Sequence, residues 1–165
     1  MLILIVRHAQ AGEQDPTRYP DDTERPLTKA GKAAHAGVSA GLVRRGLVPE
    51  AILSSPWKRA WQTAEIMAEE CGGKKKKLKP RAAPALAQAP DLEAIKAEVA
   101  GIGELESVAL VGHEPWLGEL ASLLLTGDPH RVSVDFPKSG VLGIEVPVIE
   151  PGSGSLRFFF RPKLL

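Results

Sequence analysis

Leu2-Ile3-Leu4-Ile5-Val6-Arg7-His8-Ala9 is the stretch whose reading decides the fold. Five apolar residues, three of them β-branched, run directly into an arginine and a histidine. A continuous run of this kind predicts a strand buried on both faces. Ligands of open α/β sheets bind outside the carboxyl ends of the strands. Arg7 and His8 would stand at such an end.

The remaining composition bounds the class. At 165 residues the chain is expected to form a single domain, 1–165, with a core of useful size. It is 44% apolar and 25% charged, the balance of a folded globular protein. The net charge of +1 gives no global field for nucleic acid or membrane, so any positive potential must be local. The single cysteine, Cys71, has no internal disulfide partner. The first apolar run is too short for a signal peptide or a membrane span. The expected location is cytoplasmic.

Residues 10–26 lack apolar periodicity and carry the loop signals Asp15-Pro16, Tyr19-Pro20-Asp21-Asp22 and Arg25-Pro26. A loop of this length beside the first strand reads as functional. Thr28 is an N-cap for a helix from Lys29 to Arg45, stopped near Gly46. Ala51–Ser54 is a short strand. Pro56 sits in the first turn of a helix from Trp57 to Glu70. The four lysines Lys74–Lys77 read as a solvated turn, with a weak lead-in for anions as the other reading. Leu78–Ala82 is a possible strand, Pro84–Pro90 is irregular, and Asp91 caps a helix to Ala100.

Ser107–Val111 is a second buried-type strand, and it too ends in a histidine, Gly112-His113. A helix over Pro115–Leu125 follows. Gly140–Val146 and Ser155–Phe160 predict an antiparallel edge pair. The resulting order predicts an α/β fold: a three-layer sandwich with a mostly parallel central sheet and helices on both faces.

Three sites fall at element ends: Arg7-His8, Arg59 near the start of its helix, and His113. Parallel strands would bring two arginines and two histidines to one edge. Such a cluster repels itself unless an anion sits in it. Arginine forks match phosphate oxygens, and a helix N-terminus adds donors. The expectation is that His8 takes up a phosphoryl group as a nucleophile. Zinc sites usually surround histidine with cysteine or carboxylate, whereas here the neighbours are cations, so no metal or other cofactor is expected. His35 and His130 read as structural. Trp57, Trp61 and Trp116 suit either core or pocket walls. Ser54-Ser55 lacks the glycines of a nucleophile elbow. Ser139-Gly140 could offer backbone N–H groups to the pocket.

These residues carry a resemblance. Arg7-His8-Ala9 resembles the R-H-G signature of the histidine phosphatase, or phosphoglycerate mutase-like, superfamily. The segment Ser54-Ser55-Pro56-Trp57-Lys58-Arg59-Ala60-Trp61-Gln62-Thr63-Ala64 is similar to its S-x-x-x-R-A-x-Q-T-A motif. Val111-Gly112-His113 resembles the second histidine motif, and Arg25-Pro26-Leu27-Thr28-Lys29-Ala30-Gly31 its R-P-L-T-x-x-G segment. Within the superfamily, the small size and the last segment resemble SixA-type phosphohistidine phosphatases. The resemblance implies a phosphoglycerate mutase-like fold. It implies phosphorylation of His8, with Arg7, Arg59 and His113 on the phosphoryl oxygens. Arg25 either joins them or pins the loop.

Two departures stand out. Ala9 replaces the family glycine, which restricts the backbone. Where many members have a glutamate acid, this chain reads Pro84-Ala85-Leu86-Ala87-Gln88. Asp22 and Glu114 are the remaining candidates for the acid. A phosphoramidate leaving nitrogen can be protonated by solvent, so a phosphohistidine substrate needs that acid less. The expected partner is therefore a phosphorylated protein carrying phosphohistidine. The alternatives are a small phosphorylated metabolite, or a phosphate-binding module without turnover. A mutase would need a cover over the site for which the chain has little material.

Overall fold

The apolar run at the N-terminus forms β1 (Leu2–Arg7), with Ile3 to Val6 fully buried. In the computed structural model, which describes residues 1–73 and 77–162, β1 lies inside a six-stranded sheet. The other strands are β2 (Ala51–Ser54), β3 (Arg81–Ala82), β4 (Ser107–Gly112), β5 (Val141–Glu145) and β6 (Ser155–Phe160). Their order across the sheet is β3-β2-β4-β1-β5-β6. The first four run parallel; β5 pairs antiparallel with both β1 and β6. Among the described residues four α-helices intervene: α1 (Lys29–Arg44), α2 (Lys58–Gly72), α3 (Leu92–Ala100) and α4 (Trp116–Thr126).

Strand alternation divides the core in two. Leu4, Val6, Ile52 and Val111 pack with Val38 and Leu42 of α1 and Ala60, Ala64 and Met67 of α2. Ile3, Ile5, Leu53 and Leu110 pack with Ile95 of α3 and Leu117, Leu120 and Leu124 of α4. Helices therefore cover both faces. Because neither face of β1 meets water, the strand reads as a continuous apolar run rather than an alternating one.

The element order is the one the sequence predicts, and the differences are local. The possible strand at Leu78–Ala82 is reduced to Arg81–Ala82, both exposed, at the sheet edge. Pro84–Ala87 forms a turn of 3-10 helix. The predicted antiparallel edge pair is observed: β5 joins the sheet at β1 and β6 is the outermost strand. Pro56 lies just outside α2 rather than in its first turn. Ser55 Oγ accepts the Trp57 N–H at 3.3 Å, holding Trp57 extended as the N-cap. Of the four-lysine run, Lys74–Lys76 lie outside the described residues.

The loop from 10 to 28 is tied down by the R-P-L-T segment. Thr28 caps α1 by accepting the Gly31 N–H at 2.9 Å, and its own N–H donates to Gln10 O at 2.9 Å. A Cβ on Gly31 would stand 2.2 Å from that same Gln10 oxygen, so only glycine fits. Gln62 of α2 accepts the Leu27 N–H at 2.9 Å.

His35 lies fully buried on α1, and neither ring nitrogen has a hydrogen-bond partner among the described residues. Burial pushes its pKa down to about 4. The unfolded chain, with an ordinary histidine, binds this proton more readily. Stability is therefore complete above about pH 6.5 and is lost as pH falls toward 4. His35→Leu, of similar bulk, is expected to flatten this acid loss. Urea midpoints at pH 7 and pH 5 check it; an equal drop in variant and parent would refute the assignment.

Candidate active site

Strand register explains how two histidines 105 positions apart in the chain meet. Arg7 of β1 pairs with Gly112 of β4, so His8 and His113 leave adjacent parallel strands at the same level. The His8 N–H donates to Gly112 O at 3.1 Å. Their ring centroids are 5.2 Å apart. β2 ends one strand over, and the Ser55 N–H donates to Val111 O at 2.9 Å. The chain then enters α2, which delivers Arg59 from its first turn.

Arg7, His8, Arg59 and His113 line one cavity of about 290 Å³. Gln14, Asp22 and Arg25 border it from the loop, and Trp57, Trp116, Glu114 and Lys138 complete its walls. The four residues singled out from the sequence are thus brought together. His35 is elsewhere in the core, and His130 is exposed away from the cavity.

His8 is almost fully buried, and its Nδ1 lies 2.8 Å from Ala9 O. A carbonyl only accepts, so Nδ1 carries the proton and Nε2 keeps its lone pair. Burial, aided by the Lys138 charge, pushes its pKa to about 2, so His8 is neutral at neutral pH. Ala9 does not have the positive φ that would call for glycine. Its methyl packs with Ala11 and Leu27, and its N–H donates to Thr63 Oγ1 at 3.0 Å. Thr63 in turn donates to Arg59 O at 2.7 Å. The threonine of the second motif therefore joins the nucleophile turn to the helix that carries Arg59.

His113 is neutral as well, pushed to about 3 by burial and by the Arg59 charge. Its Nε2 lies 2.8 Å from Ser55 Oγ, which fixes the ring. Trp57 packs against it with centroids 4.5 Å apart, and Trp116 closes edge-on at 6.3 Å. Trp57 and Trp116 are both partly exposed cavity walls rather than core. The Ser55–His113 pair is no hydrolytic triad: His113 Nδ1 has no orienting partner among the described residues.

The arginines divide their work. Arg25 donates to both Asp22 carboxylate oxygens, at 2.8 and 3.4 Å, and to Gly12 O at 2.7 Å. It pins the loop at the cavity rim. Arg59 donates to Asp22 O at 2.8 Å, pairs with its Oδ2 at 3.1 Å, and lies over the Trp57 ring. Arg7 donates to Phe136 O. Among the described residues, Arg7 Nε, Arg59 Nε and His113 Nδ1 are buried without partners. An unpaired buried polar atom is costly, and the three residues that carry these atoms all line the one cavity beside the His8 lone pair.

The two candidate acids differ sharply. The Arg25 hydrogen bond holds the Asp22 carboxyl below the usual carboxylate range, so it is ionised at neutral pH. Burial pushes Glu114 the other way. Glu114 Oε1 accepts the Phe136 N–H at 3.3 Å, and the side chain borders the cavity. The Ser139-Gly140 N–H groups are not offered to the pocket: they donate to His8 O at 3.3 Å and Pro137 O at 2.8 Å. Lys138 was not singled out from the sequence, yet its Nζ lies 3.3 Å from His8 Nε2. No group of three or more metal-ligating side chains occurs among the described residues.

Fold and site together define an α/β protein with two histidines and two arginines gathered in one cavity at the carboxyl ends of its parallel strands. By its sequence the chain belongs to the histidine phosphatase superfamily (branch 1), whose family model matches residues 3–88. It is 35% identical over 149 residues to an uncharacterized protein of Picosynechococcus sp. (strain ATCC 27264 / PCC 7002 / PR-6), covering 87% of this chain and 84% of that one. Among solved structures it resembles the protein histidine phosphatase SixA complexed with tungstate. The TM-score is 0.80 at 24% identity, covering 99% of this chain and 98% of that one. A structure described as a candidate SixA from Agrobacterium tumefaciens matches with TM-score 0.72 at 22% identity, over 98% of both chains. The fold is therefore phosphoglycerate mutase-like. No helix among the described residues is long and apolar enough to cross a membrane.

Proposed function

We propose that this protein is a phosphatase that works through a phosphohistidine on His8 and acts on phosphohistidine in proteins. One observation carries the reading: the Nε2 lone pair of a neutral, buried His8 shares one cavity with the donor-bearing side chains of Arg7, Arg59 and His113. Nε2 attacks phosphorus in line with the leaving group. The donors take the nonbridging oxygens as negative charge spreads over them, and water then hydrolyses the phosphohistidine. Positioning and electrostatics supply the catalysis, and the covalent intermediate divides one hard step into two. Tungstate, bound in the SixA structure of the same fold, is a tetrahedral oxyanion of the kind this cavity suits.

The substrate reading rests on the acid. Asp22 is ionised and tied to two arginines, which leaves it ill suited to donate a proton. A phosphoramidate tolerates that, because its leaving nitrogen is basic enough to be protonated by solvent. Glu114, with its raised pKa, is the acid we assign for poorer leaving groups. Glu114→Gln is expected to lower kcat/KM for para-nitrophenyl phosphate by about tenfold and for alkyl esters by about 10²-fold. Phosphohistidine turnover is expected to change less than threefold. Equal losses on all substrates would refute the role.

The test of the proposal itself is metal-free turnover of a phosphohistidine protein beside para-nitrophenyl phosphate, with His8→Ala as control. Fast, His8-dependent loss of phosphohistidine with a slow ester supports it. The reverse preference would move the protein to small phosphorylated metabolites.

A further inference from the structure

Phe136 to Gly140 lies outside the four sequence motifs, yet it is anchored at three points to the end of β1. The Arg7 guanidinium donates to Phe136 O, and the Arg7 N–H donates to Gly140 O at 3.1 Å. The Ser139 N–H donates to His8 O at 3.3 Å, and Gly140 closes the turn onto Pro137 O at 2.8 Å. Ser139 itself adopts φ 61°, the only positive φ at a non-glycine among the described residues. Such a conformation is strained and persists only where the surroundings over-determine it. What this turn presents is Lys138, half-buried, with Nζ 3.3 Å from His8 Nε2. An ammonium has donors only, so the contact is an N–H directed at the lone pair that reacts.

We propose that Lys138 is a further catalytic residue: its ammonium caps the His8 lone pair in the free protein and donates to a nonbridging phosphoryl oxygen during transfer. The inference rests on the function proposed above. The geometry separates two roles. In an in-line displacement the leaving group departs on the side of phosphorus opposite Nε2. A donor within 3.3 Å of Nε2 is on the near side, within reach of the nonbridging oxygens but not of the leaving atom. Lys138 is thus an oxyanion donor and not the leaving-group acid. In the step, the Nε2–P bond forms and the bond from phosphorus to the leaving atom breaks. The leaving atom keeps the electron pair and is protonated by solvent or Glu114. Lys138 neither gains nor loses a proton.

A cation held here has a consequence in pH. Arg7 and His8 face Lys138 from β1, His113 and Glu114 from the turn after β4, Arg59 from α2, and Asp22 and Arg25 from the loop. Burial first, and then the arginines, lower its pKa to about 8, opposed by Glu114. The ammonium is therefore lost as pH rises through about 8, and kcat/KM should fall with it.

The experiment is the pH profile of kcat/KM from pH 6 to 10, on para-nitrophenyl phosphate and on a phosphohistidine protein. Lys138→Met, Lys138→Arg and His8→Ala are compared with the parent. Lys138→Met is expected to lose about 10²-fold at pH 7 and to bind inorganic phosphate correspondingly more weakly. Lys138→Arg is expected to stay within about tenfold of the parent and to lose the alkaline fall, because a guanidinium does not titrate there. His8-dependent turnover within threefold of the parent in Lys138→Met overturns the inference alone. So does an alkaline limb unmoved in Lys138→Arg. Turnover that survives His8→Ala overturns the functional proposal instead.

Discussion

His8→Ala is expected to lower kcat/KM by about 10⁴-fold or more on every phosphorylated substrate, the scale of losing a covalent nucleophile. Quenched in base during turnover, the parent should show a phosphoryl group that is stable in base and labile in acid, as a P–N bond is. The variant should show none. The expectation follows from the state of the ring. Nδ1 is committed to Ala9 O, and burial keeps Nε2 unprotonated far below the usual histidine range. A histidine that was merely a phosphate-binding cation would need the opposite protonation state. The sign also constrains the pH profile: with a pKa depressed to about 2, the nucleophile is not lost as pH falls from 7 to 5. A phosphoenzyme that persists in His8→Ala would refute the assignment.

Arg59→Ala is expected to be next in size, with kcat/KM down about 10³-fold and inorganic phosphate inhibiting far more weakly. Arg59 is 5% exposed, and it bonds the backbone and carboxylate of Asp22 while lying over Trp57. Its loss removes an oxyanion donor and one of the two clamps on the loop. Asp22 is partly exposed, so the accompanying loss of stability is modest, about 1 kcal/mol. Arg59→Lys should recover stability more than activity, because an ammonium restores charge without the planar fork. The paired readings are phosphate inhibition and urea midpoints. Unchanged phosphate inhibition in Arg59→Ala would remove Arg59 from the oxyanion site.

Much of the site was legible because its residues follow directly on strands or open helices that the pattern reveals. Arg7 and His8 end one apolar run, His113 follows another, and Arg59 lies one turn into α2. Parallel pairing of β1, β4 and β2 then forces their ends to one edge. Other roles needed side-chain geometry. Asp22 and Glu114 were equal candidates as acids until the arginines around the first and the burial of the second separated them. Arg25 turned out to pin the loop, and Gln62 and Thr63 to tie the loop and the nucleophile turn to α2.

Lys138 shows where a linear reading stops. A rule that looks after strands for functional residues misses it, since it precedes β5. Because β5 runs antiparallel to β1, its beginning lies at the same edge as β1's end. The one-dimensional pattern by itself determined the order of elements, the buried strands and the two histidines at their ends, since burial on both faces leaves its mark directly in the residue types. Only the tertiary structure decided which nitrogen of His8 is free, which carboxyl is held ionised by arginines and which cation touches His8. Those depend on distances of about 3 Å between residues far apart in the chain, and no periodicity records them.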